Sequence, residues 1–434
     1  MKKNYQKTTA TAGTSDDLGL PEAVTVTMAE IGGAVKEGLL ALAVAAGLQV
    51  MTAMMEESVT ALAGPRGRHQ PERTAVRHGT EAGSVVLGGR RVPVRRPRVR
   101  TVDGARELPV EAYEVFSDSE ILGDLALERM MAKLSTRRYP AGLEPVGRSV
   151  EAAARSTSKS AVSRRFVART ETALAELMAA DLSGLDIVAV MIDGVHFAGH
   201  LCVVALGIDI DGIKHPLGLV EGDTENATVV KDLLADLRDR GLDVTRPMLV
   251  VIDGAKALSA AVRAVFDHPV IQRCQLHKIR NVEAKLSKAM AATVARKMRA
   301  AYHDPDPLRA EATLEALARS LDKAHPGAAG SLREGLAETL TISRLGVPPT
   351  LARTLRSTNA IESMIEICRD HSTNVKRWRD GQMALRWCAA GMGEAAKQFR
   401  RVNGRLHLPA LRQALETHAA QTVTTPCHDE EEAA

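Results

Sequence analysis

The spacing of apolar residues changes several times along this chain, and each change marks a different kind of element. Between residues 186 and 253 the runs IVAVMI, HLCVVALGI, KHPLGLV and MLVVI are short, continuous and rich in Val, Ile and Leu, as strands covered on both faces are. The first two are followed by a strand after the turn word IDGI, and the third by a segment with Val229, Val230, Leu233, Leu234 and Leu237 at helical spacing. That spacing predicts a helix over roughly 225 to 240, with Thr224 available as its cap. After MLVVI, Leu258, Val262 and Val265 again repeat as on a helix, and PVIQRCQLH reads as a short strand. From 283 to 350 the words EAKLSKAMAATVARKMRAAY, LRAEATLEALARSLDKA and GSLREGLAETLTISRL predict three helices and no strand. In STNAIESMIEICRD, Ile361, Met364, Ile365 and Cys368 form one buried stripe.

Three carboxylates stand out against this pattern. Asp193 closes IVAVMI, Asp253 closes MLVVI, and Glu362 lies in the STNAIESMIEICRD helix. An acid at the end of a buried strand has its backbone fixed by the sheet, and three such acids converging could hold a pair of hard divalent cations. Each has an ordinary explanation as well. Asp-Gly at 193–194 and 253–254 is common turn chemistry, and Asn359 three positions before Glu362 has the spacing of a capping box. If Glu362 only caps, Glu366 on the same face is the substitute. The order of elements weighs against coincidence: three strands, helix, strand, helix, strand and a later acid-bearing helix is the order of an RNase H-like domain. In such a fold the first and fourth strands are neighbours, which would put Asp193 beside Asp253.

With these words in view, the chain resembles the mutator-type bacterial insertion-sequence transposases of the DDE class. The matching segments are IDGVHF with Asp193, VIDGAKAL with Asp253, Cys274-x-x-His277 in QRCQLHKIRNV, and STNAIESMIEICRD with Glu362, and the resemblance spans roughly residues 70 to 415. It implies a catalytic, metal-binding triad of Asp193, Asp253 and Glu362. It also implies an α/β RNase H-like catalytic domain interrupted by an all-helical insertion and preceded by a mainly helical DNA-binding region. Two Mg²⁺ ions, for which Mn²⁺ would substitute, are the expected cofactors. Cys274 and His277 flank the site; Cys-x-x-His is half of a zinc site, and no second half occurs among Cys202, Cys368, Cys388 and Cys427. His277 is expected on the strand after Asp253, where DNA contact and simple core packing both remain open. His196 is a weaker candidate.

Net charge is only +4, so contact with DNA depends on where the charge lies. RRVPVRRPRVR carries Arg90, Arg91, Arg95, Arg96, Arg98 and Arg100 without an acid, and its prolines predict an extended arm or edge strand facing phosphates. Residues 121 to 177 predict three helices resembling a helix-turn-helix, the last opening at Ser160 with Arg164, Arg165 and Arg169 exposed. A plain helical bundle fits that segment too. A third basic segment holds Lys376, Arg377, Trp378 and Arg379, with Trp378 the candidate for base stacking and Trp387 for the core.

The expected division is an N-terminal helical, oligomerising segment at 1–70, a DNA-binding region at 71–180, and catalytic parts at 181–282 and 351–415 around the insertion at 283–350. An acidic tail follows at 416–434. The apolar stretch 38–55 is interrupted by Gln49 and Thr52 and flanked by Glu37, Glu56 and Glu57, so a buried or dimerising helix is expected and no membrane partner. Five cysteines without a spaced framework and a start lacking an apolar leader predict a cytoplasmic protein, nucleoid-associated when on DNA. The expected function is metal-dependent cleavage and strand transfer at the terminal inverted repeats of its own element, in double-stranded DNA, by a homodimer or larger synaptic oligomer. A nuclease or resolvase on the same fold, and a non-catalytic transposase-derived DNA-binding protein, are the alternatives.

Overall fold

The computed structural model describes residues 38–68, 70–222 and 226–423. Expectations for residues 1–37, for Thr224 and for 424–434 lie outside them. The chain divides into two compact units, one ending at Arg169 and the other beginning at Thr170.

The first unit starts with helix α1 (Leu39–Ala63), followed by strands β1 (Ala75–Leu87), β2 (Arg90–Thr101) and β3 (Glu107–Leu108) in one antiparallel sheet of order β1-β2-β3. A two-residue turn at Gly88 and Gly89 joins β1 to β2, both with positive φ, as this tightest hairpin requires. Met55 and Val59 of α1 are buried, and Val59 shares a small core with Ala75, Val99 and Val110. The region thus carries a three-stranded sheet beside its helices, and of the two forms expected for the arginine-rich stretch it takes the strand and not the arm. Pro93 and Pro97 are tolerated because β3 pairs with β2 only at Val99 and Arg100, which leaves the edge along the prolines unpaired. Helices α2 (Glu111–Ser117), α3 (Glu120–Met131), α4 (Arg148–Ala153) and α5 (Lys159–Ala179) follow. α5 opens two residues earlier than a Ser160 cap would place it, and Ser158 Oγ, in place of Ser160, accepts from Ala161 N at 3.3 Å.

The second unit is built on a five-stranded mixed sheet of order β6-β5-β4-β7-β8. β4 (Ile187–Phe197), β5 (His200–Asp209) and β6 (Lys214–Gly222) form an antiparallel meander; β7 (Met248–Ile252) lies parallel to β4, and β8 (Pro269–Arg273) parallel to β7. The uninterrupted apolar runs are explained by cover on both faces. Val190, Ile192 and Val250 pack under helices α6 (Ala227–Asp239) and α7 (Lys256–Val265), while Ala189, Met191 and Val251 face the opposite core. Asn226 caps α6 through Val229 N at 2.9 Å, and Val230, Leu233, Leu234 and Leu237 are its buried face.

After β8 come α8 (Gln275–Glu283), α9 (Lys288–Tyr302), α10 (Pro307–Leu321) and α11 (Pro326–Arg333), which pack around Val294, Met298, Leu314, Leu317 and Leu332. The third expected helix is broken at Gly335, whose φ of 60° starts the short α12 (Leu336–Thr339), followed by α13 (Thr341–Arg344). The second core is completed by α14 (Pro349–Leu355), α15 (Asn359–His371), α16 (Gly381–Gln398) and α17 (Leu408–Val423). Among the described residues no helix is long and apolar enough to cross a membrane.

Two local expectations are corrected. β8 ends at Arg273 and Cys274 caps α8, so His277 lies in the first turn of a helix and not on a strand. β4 does not end at Asp193: it continues to Phe197 against β5 and turns at Ala198, whose φ is 54°, so Gly194 lies within a strand.

Candidate active site

β4 and β7 run side by side in register, with Ala189 opposite Leu249, Val190 opposite Val250 and Met191 opposite Val251. Asp193 and Asp253 each lie two residues beyond the last of these pairs, so parallel pairing brings the two backbones to the same level. Both acids are half-buried. Asp193 Oδ1 accepts from Gly194 N at 2.8 Å, and Asp253 Oδ1 accepts from Ala255 N at 2.8 Å, which fixes each carboxylate against its own chain. The turn after Asp253 needs Gly254, whose φ is 105°.

The third acid comes from α15. Its apolar stripe of Ile361, Met364, Ile365 and Cys368 is buried, which turns Glu362 toward the beginning of α8. The capping box expected from Asn359 does not form, because α15 begins one residue earlier on Thr358. Thr358 Oγ1 instead donates to Glu362 Oε1 at 2.6 Å, one helical turn on. His277 Nδ1 lies 3.9 Å from Glu362 Oε1, and Arg280 Nη1 3.9 Å from Glu362 Oε2. Glu366, a turn further along, is exposed and lines a separate shallow groove with Ser363, Arg369 and Asp370.

Cys274 joins the two halves of the site. Its N–H donates to Ile252 O at 2.7 Å, next to Asp253, while its buried sulfur accepts from His277 N at 3.5 Å and Thr358 N at 3.4 Å. Thr358 Oγ1 lies 3.3 Å from that sulfur and 3.3 Å from His277 Nδ1. A hydroxyl has one proton to donate, and at 2.6 Å the Glu362 carboxylate takes it. Thr358 can then accept from His277 Nδ1, giving a directed chain from imidazole through hydroxyl to carboxylate.

Electrostatics support the same picture. Burial pushes the Cys274 thiol up, but hydrogen bonds from His277 and Thr358 outweigh it and hold the thiol below its usual range. His277 is raised to about 9, first by its hydrogen bond to the Cys274 sulfur, against burial, and then by the charges of Cys274, Glu362 and Asp193. Acids from the sheet and from α15 thus act on one imidazole, and the site favours positive charge. Cys274, His277 and Glu362 also bring three ligand atoms within 4.8 Å of one another, a set soft enough for zinc. The buried sulfur already accepts two amides, so its role in this arrangement is that of a helix cap joining two segments.

Thr358 and Arg280 carry no separate signal in the sequence. Their positions follow from helical spacing once the helices are placed, Arg280 three residues after His277 and Thr358 four before Glu362. His196 is exposed near the end of β4.

Several of the expected DNA-binding arginines are engaged within their own unit. Arg90 is only 3% exposed, donates to Gly88 O and Glu144 O, and pairs with Glu151. Arg91 donates to Ser84 Oγ and Ser117 O, and Arg95 to Thr80. Arg96 and Arg98 both pair with Glu81 and Glu107, and Arg100 reaches Glu107 at 4.0 Å. On α5, Arg164 is exposed, Arg165 donates to Ser156 O at 2.7 Å and Arg169 pairs with Asp124. Lys376, Arg377 and Arg379 lie on the loop between α15 and α16, with Arg377 exposed. Trp378 in that loop packs on Phe197 at 4.8 Å and on Trp387 at 6.3 Å, tying the loop to the end of β4.

The second unit is a mixed α/β structure with Asp193 and Asp253 level in its sheet and Glu362 on a helix packed against it. The family described as "Transposase, Mutator family" matches residues 29–402, and the chain belongs to it. It is 33% identical over 204 residues to a probable transposase for an insertion sequence element of Corynebacterium diphtheriae, covering 46% of this chain and 58% of that protein. It is 31% identical to the transposase for insertion sequence element IS6120 of Mycolicibacterium smegmatis, covering 54% and 73%. To the transposase for insertion sequence element ISRM5 of Rhizobium meliloti (strain 1021) it is 27% identical over 366 residues, 84% and 89% of the two chains.

Proposed function

We propose that the protein is a DDE-type transposase that cleaves DNA at the terminal inverted repeats of its own insertion sequence and joins the freed ends to target DNA. The observation that carries this reading is the placement of the acids: parallel register sets Asp193 and Asp253 level, and the charges of Glu362 and Asp193 both act on His277. On this reading residues 181–282 and 351–415 form an RNase H-like catalytic domain, residues 283–350 its helical insertion, and residues 71–180 the DNA-binding region. Residues 1–70 would oligomerise and 416–434 form a tail.

The donor set fits hard divalent cations. Asp193, Asp253 and Glu362 supply oxygen ligands, and the raised His277 marks the place as one that gathers positive charge. Two Mg²⁺ ions, or Mn²⁺ in their place, would be held by Asp193, Asp253 and Glu362 and would supply activation of water or of a DNA 3′-hydroxyl and stabilisation of the leaving oxygen. The three acids hold that charge between sheet and helix. Thr358 fixes which oxygen of Glu362 faces inward, and Arg280 stands where it can meet a phosphate brought to Glu362 Oε2. No covalent protein nucleophile is required.

DNA would be held by the cations Arg95, Arg164, Lys376, Arg377 and Arg379, and by arginines of β2 and α5 that exchange a glutamate or aspartate for a phosphate. Two ends must be synapsed, so the working form is a dimer or larger assembly, acting in the cytoplasm on the nucleoid. A nuclease or resolvase using the same acids would cut without joining. The test is a cellular junction assay with the protein and its flanking DNA, alongside Glu362→Gln. New end-to-target or end-to-end junctions with the wild type and none with the variant support the reading; cleavage without any junction points to the nuclease.

A further inference from the structure

A cavity of about 210 Å³ is bounded by α8, α9, α14 and the start of α15. Its polar lining is one-sided in charge. Arg299, Arg353, Arg356, Ser357 and Asn359 contribute donors, and among the described residues no carboxylate lines it. Arg299 reaches Glu283 only at 4.0 Å, and Arg353 has no ion pair among the described residues. Arg356 Nη1 faces His303 Nε2 at 3.4 Å, where Nδ1 of the same ring is held by Arg299 O at 2.6 Å. Burial, and then the charge of Arg353, hold Arg356 below its ordinary range, so two guanidinium groups share one wall without a counter-ion.

A second observation concerns Ser357. It is 3% exposed, lines the cavity, and its hydroxyl has no hydrogen-bond partner among the described residues. Arg356 also ties the cavity to the acids, because its carbonyl accepts from Gln275 N at 3.0 Å, one residue from Cys274.

We propose that this cavity binds a backbone phosphate of a DNA strand led to the three acids, through Arg353, Arg356 and Ser357. The proposal rests on the reading that the protein acts on DNA. A phosphate is an acceptor-only anion, matched by two planar guanidinium groups and one hydroxyl. The cavity as proposed contacts the backbone and no base edge. It would therefore position the strand without reading its sequence.

The experiment is equilibrium binding of the full chain to a labelled duplex carrying the terminal sequence of its element, followed by fluorescence anisotropy across a NaCl series. Removing one protein–phosphate ion pair lowers the slope of log Kobs against log[NaCl] by about 1. Arg353→Gln with Arg356→Gln is expected to lower it by about 1 to 2, and Arg353→Lys with Arg356→Lys to restore it. Arg353→Gln alone, at an exposed position, provides the same reading if the double variant folds poorly. A wild-type slope in the Gln variants overturns the proposal. So does calorimetric binding of inorganic phosphate that depends on these arginines while the DNA slope does not, since the cavity would then be a small-anion site. Failure of the wild type to bind the duplex at all counts against the proposed function instead.

Discussion

Thr358 offers the sharpest test of how Glu362 is held. Its side chain is fully buried, and its hydroxyl bridges His277, the Cys274 sulfur and Glu362 Oε1. Thr358→Val keeps the shape and volume but removes the hydroxyl, so no cavity effect confuses the result. A hydrogen bond to a charged group contributes about 1.5–3 kcal/mol, and Glu362 is 31% exposed, which favours the lower part of that range. If the bond is what orients the carboxylate in the transition state, about 1.4 kcal/mol per tenfold converts this into a roughly 10- to 100-fold slower cleavage. The assay is single-turnover cleavage of a labelled terminal duplex at saturating Mg²⁺, repeated across a Mg²⁺ titration. Thr358→Val should be slower and need more Mg²⁺ for half-maximal rate, while Thr358→Ser should recover most of the loss. Cleavage by Thr358→Val at the wild-type rate would refute the reasoning, and so would a Ser variant no better than Val.

Three further outcomes follow from the same geometry. Glu362→Gln should abolish cleavage and Glu366→Gln leave it within a few-fold, since only Glu362 faces His277; the reverse pattern in the same assay would reassign the third acid. His277 is raised from 6.5 to about 9, so its contribution to stability is complete below pH 6.5 and is lost as pH rises through 9. Thermal melting in EDTA should therefore fall over that window for the wild type and much less for His277→Gln. Gly391→Ala would place a Cβ 2.8 Å from Cys368 Cα, forcing α15 and α16 apart; a loss of about 1–3 kcal/mol is expected, and an unchanged melting temperature would contradict the packing.

Much of the second unit can be read from residue order. The Val, Ile and Leu runs of β4, β5 and β7 sit under helices on both faces, and such strands announce themselves by continuous apolarity. The stripe Ile361, Met364, Ile365 and Cys368 is buried as its spacing predicts. The β1–β2 hairpin is harder, because its apolar and charged residues do not alternate cleanly and its acids come from elsewhere: Arg96 and Arg98 find Glu81 across the strand pair and Glu107 beyond it. The Gly88-Gly89 pair is the local sign of a turn there. His277 is misplaced by sequence reasoning because cysteine is an unusual helix cap, so nothing at Cys274 signals that β8 has ended. The chain His277, Thr358, Glu362 joins segments far apart in sequence, and only the tertiary fold reveals such a contact.

The order in which the chain leaves the ribosome acquires a meaning from α15. Its apolar stripe enters a core shared with the sheet and with α16, and Gly391 is a glycine because α16 comes so near the backbone at Cys368. A nascent chain that has just produced β8 holds Asp193 and Asp253, and the helix that carries Glu362 has no second wall until α16 is made. A fragment ending before that point keeps the sheet and its aspartates but has no seat for Glu362. Length thus acts as a safety catch: the chain must extend through α16 before α15, and Glu362 with it, has its seat.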